Sequence, residues 1–154
     1  MSIFETMRVS MSGLTAQRLR MDVIASNIAN VDTTRTPEGG PYRRRQVVFT
    51  AVPGTDSRAT TGGFQRILAP VDPEGSAGQG VAVTAIRTDP DAVRRVYEPD
   101  HPDADEEGFV LRPDIDVITE MTDLLAASRA YEANVTVLNA VKAMANRALT
   151  IGRG

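Results

Sequence analysis

The chain has 154 residues, of which 42% are hydrophobic and 24% are charged, which fits one or two small globular domains and is too apolar for a disordered chain. The absence of cysteine and the single histidine exclude disulfides, thiol catalysis and cysteine-ligated or multi-histidine metal sites. A net charge of −3 with no tryptophan argues against a nucleic-acid-binding surface, and no apolar run reaches the ~20 residues of a membrane span.

The first 31 residues predict a helix, because they contain no proline and only one glycine, Gly13. Hydrophobic residues recur there at the a and d spacing of a heptad, which indicates one apolar seam along a helix over about residues 2–30. Asn30 tolerates the left-handed backbone that ends many helices, so the helix is expected to stop there. The predicted seam consists of Phe4, Met7, Met11, Leu14, Arg18, Met21, Ala25 and Ile28.

The middle of the chain, residues 32–112, contains eight of the nine prolines and nine of the twelve glycines. This composition is typical of short strands and turns. The polar, glycine-rich stretches 57–63 and 72–80 are expected to be loops. The β-rich runs are Val47–Phe49, Phe64–Leu68, Val81–Thr88, Ala92–Tyr97 and Phe109–Leu111, and the third and fourth are placed to pair as a hairpin across Asp89-Pro90-Asp91.

The segment after Pro113 predicts a second long helix, because it contains no proline or glycine until Gly152. Asp114 is placed to cap its start, and Gly152 is a natural stop. The predicted seam of this helix consists of Val117, Met121, Leu124, Ser128, Tyr131, Val135, Leu138, Lys142, Ala145 and Leu149.

The matching seams predict that the two helices pair, parallel or antiparallel, as a coiled-coil-like unit. The expected fold is α+β, with residues 1–31 and 113–154 as a helical terminal domain and residues 32–112 as a β-rich insert. Each helix also carries a second apolar stripe that one intramolecular seam leaves uncovered. The insert or neighbouring subunits can cover it, and subunits are favoured because the stripes run most of each helix. The stripes are Val9, Ala16 and Val23 on the first helix, and Ala130, Val137, Met144 and Ile151 on the last.

Three groups of residues resemble chemical sites. Residues 103–114 place acidic side chains at calcium-loop spacing, but the prolines at 99, 102 and 113 favour a solvated acidic turn. His101 lacks a nucleophile motif around it, so it is interpreted as a turn residue whose ring bonds to the adjacent backbone. Arg43–Arg45 is too short for a nucleic-acid stripe and is expected to contact carboxylates, with the acidic run 103–107 as the candidate partner.

Ser12–Arg20 followed by Ser26–Asn30 resembles the N-terminal motif of the bacterial flagellar rod, hook and hook-associated proteins. Further segments extend the resemblance over nearly the whole chain and narrow it to the proximal rod proteins of the basal body. These segments are Thr34–Arg44, Val96–Asp105, Gly108–Val110, Glu120-Met121 and Ser128–Asn134.

The resemblance implies a structural subunit of a helical, tubular rod across the periplasm, with no catalysis, cofactor, nucleic acid or small-molecule substrate. It implies association with other copies, other rod proteins and the rod-to-MS-ring adaptor, and export through the flagellar type III apparatus without a cleavable signal peptide. A cytosolic, non-polymerising coiled-coil adaptor and a small calcium-binding module are the alternatives.

The seams, the outer stripe and the family motifs together define the candidate assembly residues. Asn27 and Asn30 lie three residues apart near one helix face, where they can either cap the helix end or hydrogen-bond across an interface and fix register. The candidates are Phe4, Met7, Met11, Gly13, Leu14, Gln17, Met21, Asn27, Ile28, Asn30, Met121, Leu124, Tyr131, Asn134, Val135, Val137, Leu138 and Met144.

Overall fold

The computed structural model describes residues 3–52 and 79–152. This part of the chain is the predicted α+β fold, with a helix at each end and a β-rich segment between them, and that segment forms two small antiparallel sheets. Its helices are too short or too polar to cross a membrane. The predicted strand Phe64–Leu68 and the loop 57–63 lie outside the described residues, as does most of the loop 72–80. The elements are α1 (Ile3–Ala29), β1 (Arg45–Ala51), β2 (Val81–Thr88), β3 (Val93–Tyr97), β4 (Phe109–Pro113) and α2 (Val117–Ile151).

The helices α1 and α2 pack against each other in antiparallel orientation. Arg20 forms an ion pair with Asp123, and Asn27, further along α1, bonds to Glu120, nearer the start of α2. With 27 residues in α1 and 35 in α2, the helices are about 40 and about 52 Å long. The last turns of α2 therefore extend beyond Ile3, the first described residue of α1.

Asp116, and not the predicted Asp114, caps the start of α2. Its side chain accepts hydrogen bonds from Thr119 Oγ1 at 2.6 Å and from the Ile118 N–H at 3.0 Å, and these two bonds lower the pKa of Asp116. Asp114 N–H instead donates to the carbonyl of Ala92 and so continues the pairing of β3 with β4. The prediction was wrong because the strand after Phe109 runs two residues longer than its β-rich letters suggest.

The strands pair differently from the predicted hairpin. β2 pairs with β1, from Arg45 opposite Thr88 to Ala51 opposite Val81, whereas β3 pairs with β4. The predicted pairing of Val81–Thr88 with Ala92–Tyr97 was wrong, because Asp89 N–H donates to the carbonyl of Arg44 and continues the β1–β2 ladder. The turn at residues 89–91 therefore connects two sheets. Both β1 and β2 contact α1.

The helix interface is rotated from the predicted seams. In α2 the fully buried positions include Glu120 and Ala127, each one residue before a predicted seam position, while Met121 is 55% exposed. In α1 the second apolar stripe is covered in part by the insert: Ala16 and Val23 are buried, Val23 lines a cavity with Val47 of β1, and Val9 lies beside Gly80 at the start of β2. Several predicted seam residues lie on the outer surface instead, namely Phe4, Met11, Arg18, Ala25, Met121, Lys142 and Leu149.

Small and polar residues explain this rotation. Gly13 allows α1 to approach Asn134 of α2 closely, so a residue without a side chain, and not a large apolar one, lies at this point of the interface. Asn27 and Glu120 are each only 1% exposed, although a search for hydrophobic periodicity passes over both.

Candidate assembly interface

A buried polar junction joins the helix pair to the first sheet. Asn27 Nδ2 donates to Glu120 Oε2 at 3.0 Å and to the carbonyl of Arg45 at 2.8 Å. Asn27 Oδ1 accepts from the Arg45 N–H at 3.0 Å and from Tyr42 Oη at 3.1 Å. The amide of Asn27 thus uses both its donors and both its acceptor lone pairs, which satisfies a group that would be costly to bury unpaired.

Arg44 completes the junction from the strand side. Its Nε donates to Glu120 Oε1 at 2.7 Å and its terminal nitrogen lies 2.6 Å from the same oxygen. The carboxylate of Glu120 is almost fully buried, whereas the Arg44 side chain retains 24% exposure. The predicted partner of the arginine run was wrong: the acidic residues Asp105 and Glu107 pair with Arg95 instead.

Asn27 and Asn30 have different roles. Asn27 bonds across the helix interface, as the register hypothesis requires. Asn30 Nδ2 donates to the carbonyl of Ser26 at 2.8 Å and its Oδ1 accepts from Thr33 Oγ1, so it makes local contacts near the helix end. Asn27 therefore meets the geometric requirement of the register hypothesis, and the bonds of Asn30 fit the local capping alternative.

Gly13 lies where α1 approaches Asn134 of α2. A Cβ atom at position 13 would lie 3.1 Å from both amide heteroatoms of Asn134, tighter than an ordinary contact. The amide is itself held by a 2.9 Å hydrogen bond from Asn134 Nδ2 to the carbonyl of Ala130. Both predicted packing positions thus belong to one close approach of the two helices.

A larger residue at position 13 is expected to push the helices apart. Gly13→Leu should destabilise the purified chain by about 1–3 kcal/mol, the usual cost of overpacking. Urea unfolding followed by circular dichroism measures this, with Thr15→Leu as the control because Thr15 is exposed on the same helix. A Gly13→Leu variant as stable as the control would show that the helices do not meet at this point.

The remaining candidates divide by exposure. Phe4, Met11, Met121, Val137 and Met144 are exposed, and Asn27 is buried. The half-buried candidates flank the helix interface, and among them the Oε1 atom of Gln17 is buried with no hydrogen-bond partner in the described residues. The half-buried set is Met7, Gly13, Leu14, Gln17, Met21, Ile28, Asn30, Leu124, Tyr131, Asn134, Val135 and Leu138.

Sequence reasoning missed several residues of these surfaces. Glu120, Arg44 and Tyr42 were not among the candidates, although all three lie within the quoted family segments. The signal that could have identified Glu120 is its seven-residue spacing from Ala127, Asn134 and Val141 on one helix face. Ile118 and Leu125 were also missed, because they follow neither predicted stripe; they are 76% and 60% exposed.

His101 and the acidic residues after it, which resemble chemical sites in the sequence, form hydrogen bonds with the neighbouring backbone. His101 Nδ1 accepts from the Asp103 N–H at 3.1 Å, which confirms the interpretation as a turn histidine. Asp105 Oδ1 accepts from the backbone N–H groups of Phe109 and Glu107, and the Phe109 bond is the main cause that lowers the pKa of Asp105. Within the described residues, no group of three or more acidic or histidine side chains is arranged to hold a metal ion.

Apolar side chains remain uncovered along both helices. At the start of α1, Phe4 is 81% exposed and lines a groove of about 460 Å³ together with Met7 and Met11. On α2 the exposed large apolar residues are Ile118, Met121, Leu125, Val137, Met144, Leu149 and Ile151. A helix pair with apolar residues on its outer faces is typical of a chain that packs against further helices.

Comparison with known proteins gives concordant matches at both ends of the chain. Residues 7–35 match the family described as flagella basal body rod protein. Residues 106–151 match the C-terminal family of the flagellar basal body rod FlgEFG proteins.

Full-length relatives carry a more specific name. The chain is 44% identical to flagellar basal-body rod protein FlgC of Borreliella burgdorferi, over 100% of both chains. It is 44% identical to FlgC of Bacillus subtilis and 41% identical to FlgC of Escherichia coli O157:H7, in each case over 99% of this chain and 100% of the relative.

Proposed function

The chain belongs to the FlgC family of flagellar basal-body rod proteins, and on that premise we propose that it self-associates with homologous rod proteins into the helical, tubular drive shaft that crosses the periplasm. FlgC proteins are structural components of the flagellar rod and not enzymes. The single observation that carries the proposal is the exposed apolar surface of both helices, which one helix pair cannot bury.

The alternative of a non-polymerising adaptor fits this surface poorly. An adaptor that binds one partner needs one apolar patch, whereas exposed apolar residues here occur at both ends of α2 and at the start of α1. Burying one of these apolar side chains against a neighbour contributes roughly 1.5–3 kcal/mol to association. Because the exposed residues lie at both ends of α2 and at the start of α1, they favour contacts with several neighbours at once.

The partners follow from the same premise. We infer that the neighbours are other copies of this chain, other flagellar rod proteins and the adaptor between the rod and the MS ring. The flagellar type III export apparatus is the inferred route to the rod. The exposed faces of α1 and α2 would meet the rod neighbours, because the buried junction is already saturated within the chain.

The proposed rod function assigns the two ends of the chain and its middle to different domains. We infer that residues 1–31 and 113–154 form the helical terminal domain and that residues 32–112 form the insert. The junction of Asn27, Glu120 and Arg44 fixes the first sheet to the helix pair. The insert would thereby keep one orientation relative to the helices in every subunit.

Replacing two exposed apolar residues tests assembly through the outer face of α2. Val137 and Met144 are 43% and 56% exposed and lie one heptad apart. The double variant Val137→Gln/Met144→Gln should stay within ~0.5 kcal/mol of the unsubstituted chain in stability, because exposed changes cost little. It should nevertheless yield few or short rods, since each side chain loses roughly 1.5–3 kcal/mol of burial against a neighbour.

The measurement is a count of rods in purified basal bodies, with secreted protein quantified in parallel. Thr136→Gln/Ala143→Gln is the matched control, because both residues are exposed and have the same spacing without the large apolar side chains. Normal rod numbers in the Val137/Met144 variant would show that this face stays exposed in the rod and would remove the main support for the proposed function.

A further inference from the structure

Three arginines of the insert line one cavity and form no ion pair with a described residue. The cavity has a volume of about 630 Å³ and lies between the end of α1, the loop that follows it and the start of β1. Arg43 and Arg45 both line it because alternate residues of an extended chain share one side, whereas Arg44 between them pairs with Glu120. Arg35 lines it from the loop, and the three arginines define the basic cavity.

The surroundings hold these arginines in place. The guanidinium carbon of Arg45 lies 5.5 Å from the centre of the Tyr42 ring, and Tyr42 is itself buried. The loop that carries Arg35 is closed by a 2.9 Å hydrogen bond from the Thr36 N–H to the carbonyl of Gly40. The cavity therefore presents positioned cations before any ligand arrives, which lowers the cost of binding.

The basic cavity is positive in a chain that is negative overall. Glu38 is the acidic residue among the described residues that line it, so three arginines and one glutamate face a chain of net charge −3. Opposite charge attracts the acidic surface of a neighbour and suppresses contacts between like surfaces. The planar fork of arginine matches the geometry of a carboxylate, so the fitting ligand is a segment rich in aspartate and glutamate.

The turn between β3 and β4 carries such a segment, which we define as the acidic turn, residues 98–107. Two of its carboxylates, Asp105 and Glu107, pair with an arginine of β3. Asp100 and Glu106 are exposed and form no ion pair with a described residue. Asp105 Oδ1 also accepts two backbone N–H groups, which fixes the shape of the turn.

Within one chain the acidic turn does not line the basic cavity. The turn meets the loop after α1 at another point, where Thr34 Oγ1 donates to Asp103 Oδ2 at 2.7 Å. The positive and the negative surface thus lie near each other on the insert, each with charges that no described residue of the same chain pairs. A second copy displaced along the insert can therefore place its acidic turn at this cavity.

We propose that the basic cavity of one copy binds the acidic turn of a second copy, with Arg35, Arg43 and Arg45 opposite Asp100 and Glu106. This inference rests on the proposed function and adds to it a contact made by the insert, separate from the helix faces. Exposed ion pairs are individually weak, so the contact orients neighbouring inserts and weakens as salt is raised.

Zero-length crosslinking tests the contact. A tagged chain with Arg43→Lys keeps the cation and gains an amine, which a carbodiimide couples to a carboxylate that touches it. This chain is expressed together with the untagged, unsubstituted chain, and purified basal bodies are treated. The expected product is a covalent dimer of the tagged and the untagged chain, with mass spectrometry placing the link between position 43 and Asp100 or Glu106. A dimer of two chains that differ in mass excludes a bond within one chain.

Arg94→Lys is the matched control, because Arg94 is exposed on the insert and lies outside the basic cavity. The background is low, since Lys142 is the one lysine of the chain. We expect about tenfold more mixed dimer from Arg43→Lys than from the control, because only groups in direct contact couple. Asp100→Asn/Glu106→Gln in the untagged chain should remove most of that excess. The same mixtures are treated as purified full-length chains at high concentration, so a variant that fails to enter basal bodies still gives a result.

The outcomes separate this contact from the function on which it rests. A mixed dimer no more abundant than the control, with the tagged, unsubstituted chain present in basal bodies, would overturn the contact and leave the rod function standing. A link from position 43 to a carboxylate outside the acidic turn, or to a different protein, would overturn it equally. Absence of the tagged, unsubstituted chain from basal bodies would overturn both.

Discussion

Glu120→Ala is expected to destabilise the isolated chain by about 3 kcal/mol, the lower end of the range for breaking a buried ion pair. The substitution leaves the Arg44 cation without its carboxylate and the Asn27 amide without one acceptor. The cost stays near the lower end because the Arg44 side chain is already 24% exposed and can be hydrated after a small movement.

Urea or thermal unfolding of the purified chain measures this loss. The matched control is Asp123→Ala, which removes a carboxylate from the same helix and breaks the ion pair with Arg20. That pair is about one-third exposed on both sides, so its loss should cost no more than ~1 kcal/mol. Equal losses from the two substitutions would show that Glu120 is hydrated in solution and does not anchor the junction.

Leu138→Asp is expected to abolish rod assembly and motility while leaving secretion of the protein largely intact. Leu138 is half-buried on the face of α2 that meets α1, and the antiparallel pairing places it opposite about Val9. Loss of a buried leucine side chain costs about 2–5 kcal/mol, and a carboxylate at the interface adds a desolvation penalty. An unfolded export substrate does not need this interface, which separates secretion from assembly.

Motility in soft agar and the amount of secreted protein are the two readouts. Asn139→Asp introduces the same charge at the next residue, which is exposed, and should leave both readouts close to those of the unsubstituted chain. Motile cells carrying Leu138→Asp would contradict the assignment of Leu138 to the helix interface. A loss of secretion together with motility would mean that export, and not assembly, depends on this residue.

Local sequence signals were sufficient to predict the two helices and the β-rich segment between them. Two long segments free of proline enclose a segment rich in proline and glycine, and the described helices begin and end within three residues of the predicted bounds. Such signals are local because proline removes a backbone donor and glycine lowers helix propensity wherever they stand. The resemblance to flagellar rod proteins was also readable from the sequence, since its motifs lie at both ends of the chain.

Local signals did not predict which face of each helix is buried in the helix interface. Hydrophobic periodicity placed Met121 in the seam, whereas Glu120 is the buried residue, and it placed Ala16 on the outer face although Ala16 is 3% exposed. Periodicity identifies an apolar face but does not say whether that face meets a helix of the same chain or of a neighbour. In a subunit with two kinds of helix contact, the larger apolar side chains can serve the neighbours.

Contacts between residues far apart in the sequence determined the strand pairs and the ion-pair partners. β2 lies next in sequence to β3, but it pairs with β1, and Arg44 meets Glu120 across 76 residues instead of the nearer acidic run. The close approach at Gly13 and the buried amide of Asn27 position α1, β1 and α2 together. The residue pattern thus established helices, strands and family, while the choice of interface face and ion-pair partner came from tertiary packing, because those choices depend on which surfaces can approach most closely and satisfy every buried polar group.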